Sequence, residues 1–227
     1  MEPSLAVSML AHDLRAPLAS LAAASELLLR DGDRIDPQEM REMLRVIRSG
    51  TVWLQGLVEN LLCAASIRAG DFRIHAEPQN LLDLVLTVQP IVTPLLRQKG
   101  QELKVAAAPD LPAVSADRRW IGQVLVNLLA NASKYSGATT PIAVRLTQRN
   151  DAVRVAVADR GPGLPPGGQA RLFEPFCRGE GAATADPKGI GLGLAIVHAV
   201  VEAHGGRVGA ENRPNGGACI WFELARI

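Results

Sequence analysis

The chain has 227 residues, enough for one or two domains with a proper core, and its net charge of +1 gives no electrostatic case for nucleic acid or an anionic membrane as partner. Three cysteines, Cys63, Cys177 and Cys219, are widely spaced and odd in number, which argues against a disulfide framework or zinc site and fits a reducing cytoplasm. No apolar run reaches the roughly 18 residues needed to cross a bilayer and no signal-peptide pattern follows Met1, so the expectation is a soluble protein or the cytoplasmic part of a longer one.

The first predicted element is a helix from about residue 3 to about residue 30, with an apolar stripe at Leu5, Met9, Leu10, Leu14, Leu18, Leu21 and Leu28. His12 falls off that stripe. A histidine facing solvent, with an ordinary pKa of about 6.5, is mostly neutral at pH 7 and can act as a nucleophile. Asp13 stands next to it as a proton acceptor. Pro17 deletes the helical bond to the Asp13 carbonyl, so a kink is expected beside the site. Asp31-Gly32-Asp33 ends the helix, and Asp36-Pro37-Gln38-Glu39 starts another with Asp at the N-cap and Pro at the first helical position. Its stripe runs through Met40, Met43, Leu44, Ile47, Leu54, Leu57, Val58, Leu61 and Leu62. Two helices cannot enclose both stripes alone. A second copy completing a four-helix bundle would, which predicts a homodimer through residues 1–68.

Composition shifts at Ala69-Gly70-Asp71, after which short strands and helices alternate over residues 72–227. The pattern predicts a strand at Phe72–Ala76, a helix at Asn80–Gln98 weakened in its second half by Pro90 and Pro94, a strand at Gln101–Ala107 and a helix at Asp117–Ser133. Ile142–Gln148 and Ala152–Ala158 form a hairpin about Asn150-Asp151. A helix at Gly191–His204 and strands at Arg207–Ala210 and Ala218–Leu224 about Pro214-Asn215-Gly216-Gly217 complete the chain. The fold class is therefore a helical hairpin followed by an α/β sandwich, a mixed sheet with helices on one face.

Four segments of this second part have the chemistry of a nucleotide site. Asn127 and Asn131 are one helical turn apart, and two amide oxygens on one face suit Mg²⁺, with Lys134 close by to neutralise phosphate. Asp159-Arg160-Gly161-Pro162-Gly163 follows a strand, so Asp159 can accept from an exocyclic amino group such as adenine's while Gly161 and Gly163 let backbone approach a flat ring. Gly189, Gly191 and Gly193, with Leu194, precede a helix and make a phosphate cradle of free amides. Between them Leu164–Lys188, rich in Gly and Pro, reads as a lid in which Phe173 and Phe176 are anchors and Arg178 reaches the γ-phosphate.

In this order the segments resemble the core of bacterial two-component sensor histidine kinases: an H box at Ala11–Leu18, an N box at Gln123–Tyr135, a G1 box at Asp159–Gly163, an F box at Leu172–Arg178 and a G2 box at Gly189–Leu194. The resemblance implies a phosphotransfer hairpin and an ATP-binding domain of the Bergerat fold. It implies that His12 is autophosphorylated with Asp13 as base, that Asn131 binds Mg²⁺, that Asn127 and Lys134 lie near the phosphates, and that Tyr135 sits beside the nucleotide with Asp159 on the adenine amino group. The phosphoryl group would pass to an aspartate of a response regulator receiver domain. An upstream sensor region and a membrane anchor are expected outside this chain. Two positions depart from the pattern. Asn127 stands where hydrolysing ATPases of this fold carry a water-activating glutamate, and Ala16 replaces the Thr or Asn associated with phosphatase activity. A dimeric scaffold without catalysis and an ATP-hydrolysing member of the fold are the competing classes.

Overall fold

The computed structural model describes the backbone of residues 3–32, 34–165, 171–175 and 191–227, and their side chains apart from those of 3–13, 16, 49, 52, 53 and 68. The chain divides into two compact units, one spanning Met1–Arg68 and the other beginning at Ala69.

The first unit is a pair of helices, α1 (Pro3–Asp31) and α2 (Pro37–Ala69). α1 runs unbroken through Pro17. It stops where the sequence changes to Asp-Gly, the Arg34 N–H donating to the Asp31 carbonyl at 2.8 Å. Asp36 then caps α2, its Oδ2 accepting from the Gln38 N–H at 3.0 Å. The helices approach closely at Gly50, where a Cβ would lie 2.9 Å from Leu21 Cγ. Little of the pair's apolar surface is enclosed. Ala24, Leu57 and Cys63 are buried, whereas Leu18, Leu44, Val58 and Leu62, all on the predicted stripes, are 50%, 53%, 50% and 62% exposed.

The second unit begins with a short strand, β1 (Glu77–Gln79), then α3 (Leu81–Gln98), β2 (Leu103–Ala107), β3 (Val114–Ala116) and α4 (Arg118–Tyr135). The hairpin β4 (Ile142–Arg149) and β5 (Ala152–Ala158), helix α5 (Gly193–Ala203), and strands β6 (Arg207–Asn212) and β7 (Ala218–Ala225) follow. β1 and β3 make a two-stranded sheet, and the main sheet has the order β2-β4-β5-β7-β6. Only β2 and β4 pair in parallel within that sheet, so it is mixed, as expected. Alternation decides the faces. Ile142, Val144 and Leu146 of β4, Val153, Val155 and Val157 of β5, and Ile220, Phe222 and Leu224 of β7 are buried on one side, with the residues between them more open. Helices α3, α4 and α5 bring Leu84, Val88, Leu125, Leu128, Ile196 and Val200 into the same core.

Two local readings are corrected. Phe72–Ala76 is not a strand; β1 starts at Glu77. The segment is held by side-chain contacts instead, the Phe72 ring 4.9 Å from that of Trp120 and the His75 N–H donating to Asp117 Oδ2 at 2.9 Å. β3 was not expected, because three residues are too few for a period-two pattern to register. α3, by contrast, survives both prolines. Each costs about 3 kcal/mol, but burial of Leu81, Leu84, Val85, Val88, Val92 and Leu96 contributes about 1.5–3 kcal/mol apiece and wins.

Candidate functional site

The predicted nucleotide residues that the structure describes lie where the C-terminal end of α4, the loop after β5 and the N-terminus of α5 meet. α4 is fixed at both ends. Asp117 Oδ1 accepts from the Arg119 and Trp120 amides at 3.0 and 3.2 Å, capping its start. At its other end Lys99 Nζ donates to the carbonyls of Ser133 and Lys134 at 2.8 and 3.2 Å, a cation on the negative pole of the helix. The buried Gln101 side chain donates to the Gly137 carbonyl at 3.0 Å and accepts from Ser133 Oγ at 2.6 Å. With its leucine face in the core, α4 holds Asn127 buried, Asn131 and Lys134 half-buried and Tyr135 exposed, the Lys134 ammonium 5.0 Å from the centre of the Tyr135 ring.

Asn127 and Asn131 both face the start of α5. A Cβ on Gly193 would stand 3.6 Å from Asn131 Nδ2 and 3.9 Å from Asn127 Oδ1. Leu192 occupies the N-cap position and makes no side-chain capping bond, and the first turn of the helix contains no acidic residue. The positive pole of α5 therefore points toward the two carboxamides. Gly191, at φ 76°, takes a left-handed turn that a side chain resists. Leu194 is half-buried in the first turn.

Asp159 ends β5 and is buried, 6% exposed. Its Oδ1 accepts from the amides of Gly161 and Ala218 at 2.7 and 3.1 Å, and its own N–H donates to the Ala218 carbonyl at 2.9 Å. The loop presses on the end of α4. A Cβ on Gly161 would come 2.5 Å from the Tyr135 carbonyl oxygen, and Ser136 Oγ accepts from the Arg160 N–H at 3.2 Å. The loop after β5 thus abuts the end of α4, and the start of α5 abuts its two carboxamides, with Gly163 continuing the loop at φ 85°.

The other predicted residues are described only in part. His12 and Asp13 lie within α1, but their side chains are outside the described residues, as is that of Ala16. Gly189, Arg178, Phe176 and Cys177 are likewise outside them. Phe173 is described, half-buried with its ring 6.0 Å from that of His198 on α5. Sequence reasoning did not single out Ser136, Asn212, Arg213 or Gly217 as functional. The turn signal at Pro214–Gly217 marked their place without marking their contacts. Burial pushes the thiol of neighbouring Cys219 above its ordinary value, and the Glu211 carboxylate adds to the shift.

Two family models match the chain. Residues 4–70 match the His Kinase A (phospho-acceptor) domain, and residues 116–226 match the histidine kinase-, DNA gyrase B-, and HSP90-like ATPase domain. The sensor protein KdpD of Clostridium acetobutylicum is 32% identical over 96% of this chain and 24% of its own length, and that of Escherichia coli 36% identical over 95% and 23%. The chain therefore spans about a quarter of the length of these relatives. Among solved structures, the catalytic domain of histidine kinase ThkA is 30% identical with a TM-score of 0.60, covering 67% of this chain and 97% of that one. Full-length ShkA in complex with AMPPNP is 29% identical with a TM-score of 0.67, covering 100% of this chain and 47% of that one. With its helical pair matched by the phospho-acceptor model and its α/β unit by the ATPase model and a kinase catalytic domain, the chain belongs to the two-component sensor histidine kinases.

Proposed function

We propose that this chain is the kinase core of a two-component sensor, residues 1–68 being the dimerisation and phosphotransfer hairpin and residues 72–227 the ATP-binding catalytic domain. The observation that carries the reading is that α4 has the loop of the buried Asp159 against its C-terminal end and the start of α5 beside its carboxamides Asn127 and Asn131. Asp159 Oδ1 is occupied by two backbone amides, so Oδ2 is the oxygen that takes the adenine amino group. Gly161 and Gly163 bring main chain against the ring, and Tyr135 flanks it. The α5 amides after Gly191 and Gly193 receive phosphate oxygens, with Lys134 adding charge.

The donor set fits Mg²⁺. Among the described residues no cluster of three or more His, Cys, Asp or Glu side chains is built to hold a metal, whereas a hydrated Mg²⁺ shared with phosphates needs only one or two hard oxygens. Asn131 supplies that oxygen, with Asn127 beside it. Mg²⁺ would offset charge on the β- and γ-phosphates.

A ring nitrogen of His12 attacks the γ-phosphorus as the bond to the β,γ-bridging oxygen breaks and ADP leaves, Asp13 takes the proton from the other ring nitrogen, and Arg178 meets the charge on the transferred oxygens. The buried Asn127 has no carboxylate with which to activate water, which directs the group to the side chain. The phosphoryl group then goes to an aspartate of a response regulator receiver domain. Among the described residues no helix is long and apolar enough to cross a membrane.

The test is incubation with ATP labelled at the γ-phosphate. Acid-labile, alkali-stable label on wild type that is lost in His12→Gln is expected. Label unchanged in His12→Gln would overturn the assignment, and multiple-turnover phosphate release in that variant would identify a hydrolase instead.

A further inference from the structure

The loop that carries Asp159 is poor in means of holding its own shape. Its residue 161 and residue 163 are glycines, residue 162 is a proline without an N–H, and the sheet contact of its main chain ends at the bond from the Asp159 N–H to the Ala218 carbonyl. Fixing each such residue costs about 1–2 kcal/mol of backbone entropy, so external contacts must hold the loop. The β6–β7 turn supplies most of them. Asn212 holds Leu164 from both sides, its Oδ1 accepting from the Leu164 N–H at 2.6 Å and its Nδ2 donating to the Leu164 carbonyl at 3.0 Å. Arg213 Nη1 donates to the main-chain carbonyl of Asp159 itself. The turn that bears them is closed, the Arg213 N–H donating to the Gly217 carbonyl at 2.9 Å and the Gly216 N–H to the Arg213 carbonyl at 3.1 Å. Gly163 lies against this side chain at φ 85°, where a Cβ would fall 2.6 Å from Asn212 Oδ1.

Resting on the reading of Asp159 as the adenine-recognising carboxylate, we infer that Asn212 and Arg213 are positioning residues for base selection: they grip the two ends of the Asp159–Leu164 loop and thereby fix the direction of the Asp159 carboxylate. Neither belongs to any of the five sequence motifs, and neither needs to touch the nucleotide. Their work is done through the main chain. Without that grip Asp159 keeps its bonds to Ala218 but the main chain beyond it can shift, and a shifted carboxylate still offers charge while losing part of the aim that distinguishes a donor at the purine 6-position from an acceptor.

This predicts an effect on selectivity that loss of fold stability alone does not produce. Inosine triphosphate replaces the exocyclic amino group of ATP with a carbonyl, so the ratio of the two dissociation constants reads the aim of Asp159. Calorimetric titration of the full 227-residue chain with each nucleotide, magnesium present, should show wild type preferring ATP by about tenfold to a hundredfold, the worth of one hydrogen bond to a charged group. Asp159→Asn should abolish that preference. Arg213→Met and Asn212→Asp should each cut the ratio at least about threefold, and Arg213→Lys, which keeps a donor, should restore part of it. Should either first-choice variant fail to give a cooperative unfolding transition, Asn212→Ser and Arg213→Gln carry the same expectation. A ratio unchanged in these variants, with Asp159→Asn abolishing the preference, overturns the positioning role while leaving the Asp159 reading intact. No preference in wild type overturns both.

Discussion

Gly216 and Gly217 are adjacent residues with nearly the same backbone, φ 83° and 88°, yet only one is crowded. A Cβ on Gly216 meets nothing within 4 Å, whereas one on Gly217 would overlap the Asp159 carbonyl oxygen and the Arg160 Cα. The pair separates backbone strain from steric conflict. Gly216→Ala should cost about 1 kcal/mol of stability, the cost of a left-handed conformation for a side-chain-bearing residue. Gly217→Ala should cost more, on the order of 2–3 kcal/mol, and should also weaken ATP binding because what it displaces is the loop of Asp159. Urea unfolding and nucleotide titration of both variants check this, and equal losses would show that the close approach is not maintained. At this scale the sequence was legible only where partners are neighbours along the chain. Asn127 and Asn131 announced themselves by helical spacing, and Asp159 by its glycines. Ser136 reaches a partner 24 positions away, Asn212 one 48 away and Arg213 one 54 away, and spacing carries no trace of such contacts.

Helices and strands were readable in proportion to their length. α1 and α2 have stripes of many turns and were placed within a residue or two, and the β4–β5 hairpin was marked by strict alternation about Asn150, which turns at φ 49°. What failed was short. The three-residue β1 and β3 give no period, and Phe72–Ala76 alternates like a strand although its partners are side chains at the start of α4. That junction makes Asp117 an unusually connected cap. Its carboxylate serves the Arg119 and Trp120 amides and the His75 amide, and its own N–H donates to His204 Nε2 at 2.9 Å, tying α4 to the end of α5. Because the carboxylate is nearly buried, truncation leaves those amides without solvent to replace it. Asp117→Ala should therefore lose about 2–3 kcal/mol, toward or beyond the upper end for a single N-cap, while Asp117→Asn keeps an acceptor and should recover more than half. Chemical denaturation followed by circular dichroism measures both. A loss under about 0.5 kcal/mol for the alanine variant would mean that the cap adds little beyond the packing of Phe72 on Trp120.

For the molecule as a whole, the two units have opposite balances of enclosed and open apolar surface. The α/β unit encloses its core on its own, with Phe222, Leu84, Ile121, Leu125 and Ile142 all below 2% exposed. The helical pair does not. Four residues of its predicted stripes, Leu18, Leu44, Val58 and Leu62, are half or more exposed, and among the described residues three hydrophobic side chains of the pair are buried. Apolar side chains left open along a helical hairpin have an unfavourable hydration term unless something covers them. A second copy of the same hairpin presents an identical stripe, so a two-fold four-helix bundle satisfies both at once. The expected result is a dimer in sedimentation velocity at micromolar concentration. The double substitution Leu44→Glu and Leu62→Glu, adding charge to surface that a monomer already exposes, should shift the species to monomer while leaving the ATP affinity of the α/β unit within about twofold. That combination is diagnostic. A monomeric wild type would remove the bundle, whereas a variant that stayed dimeric would place the contact on another face of the helices.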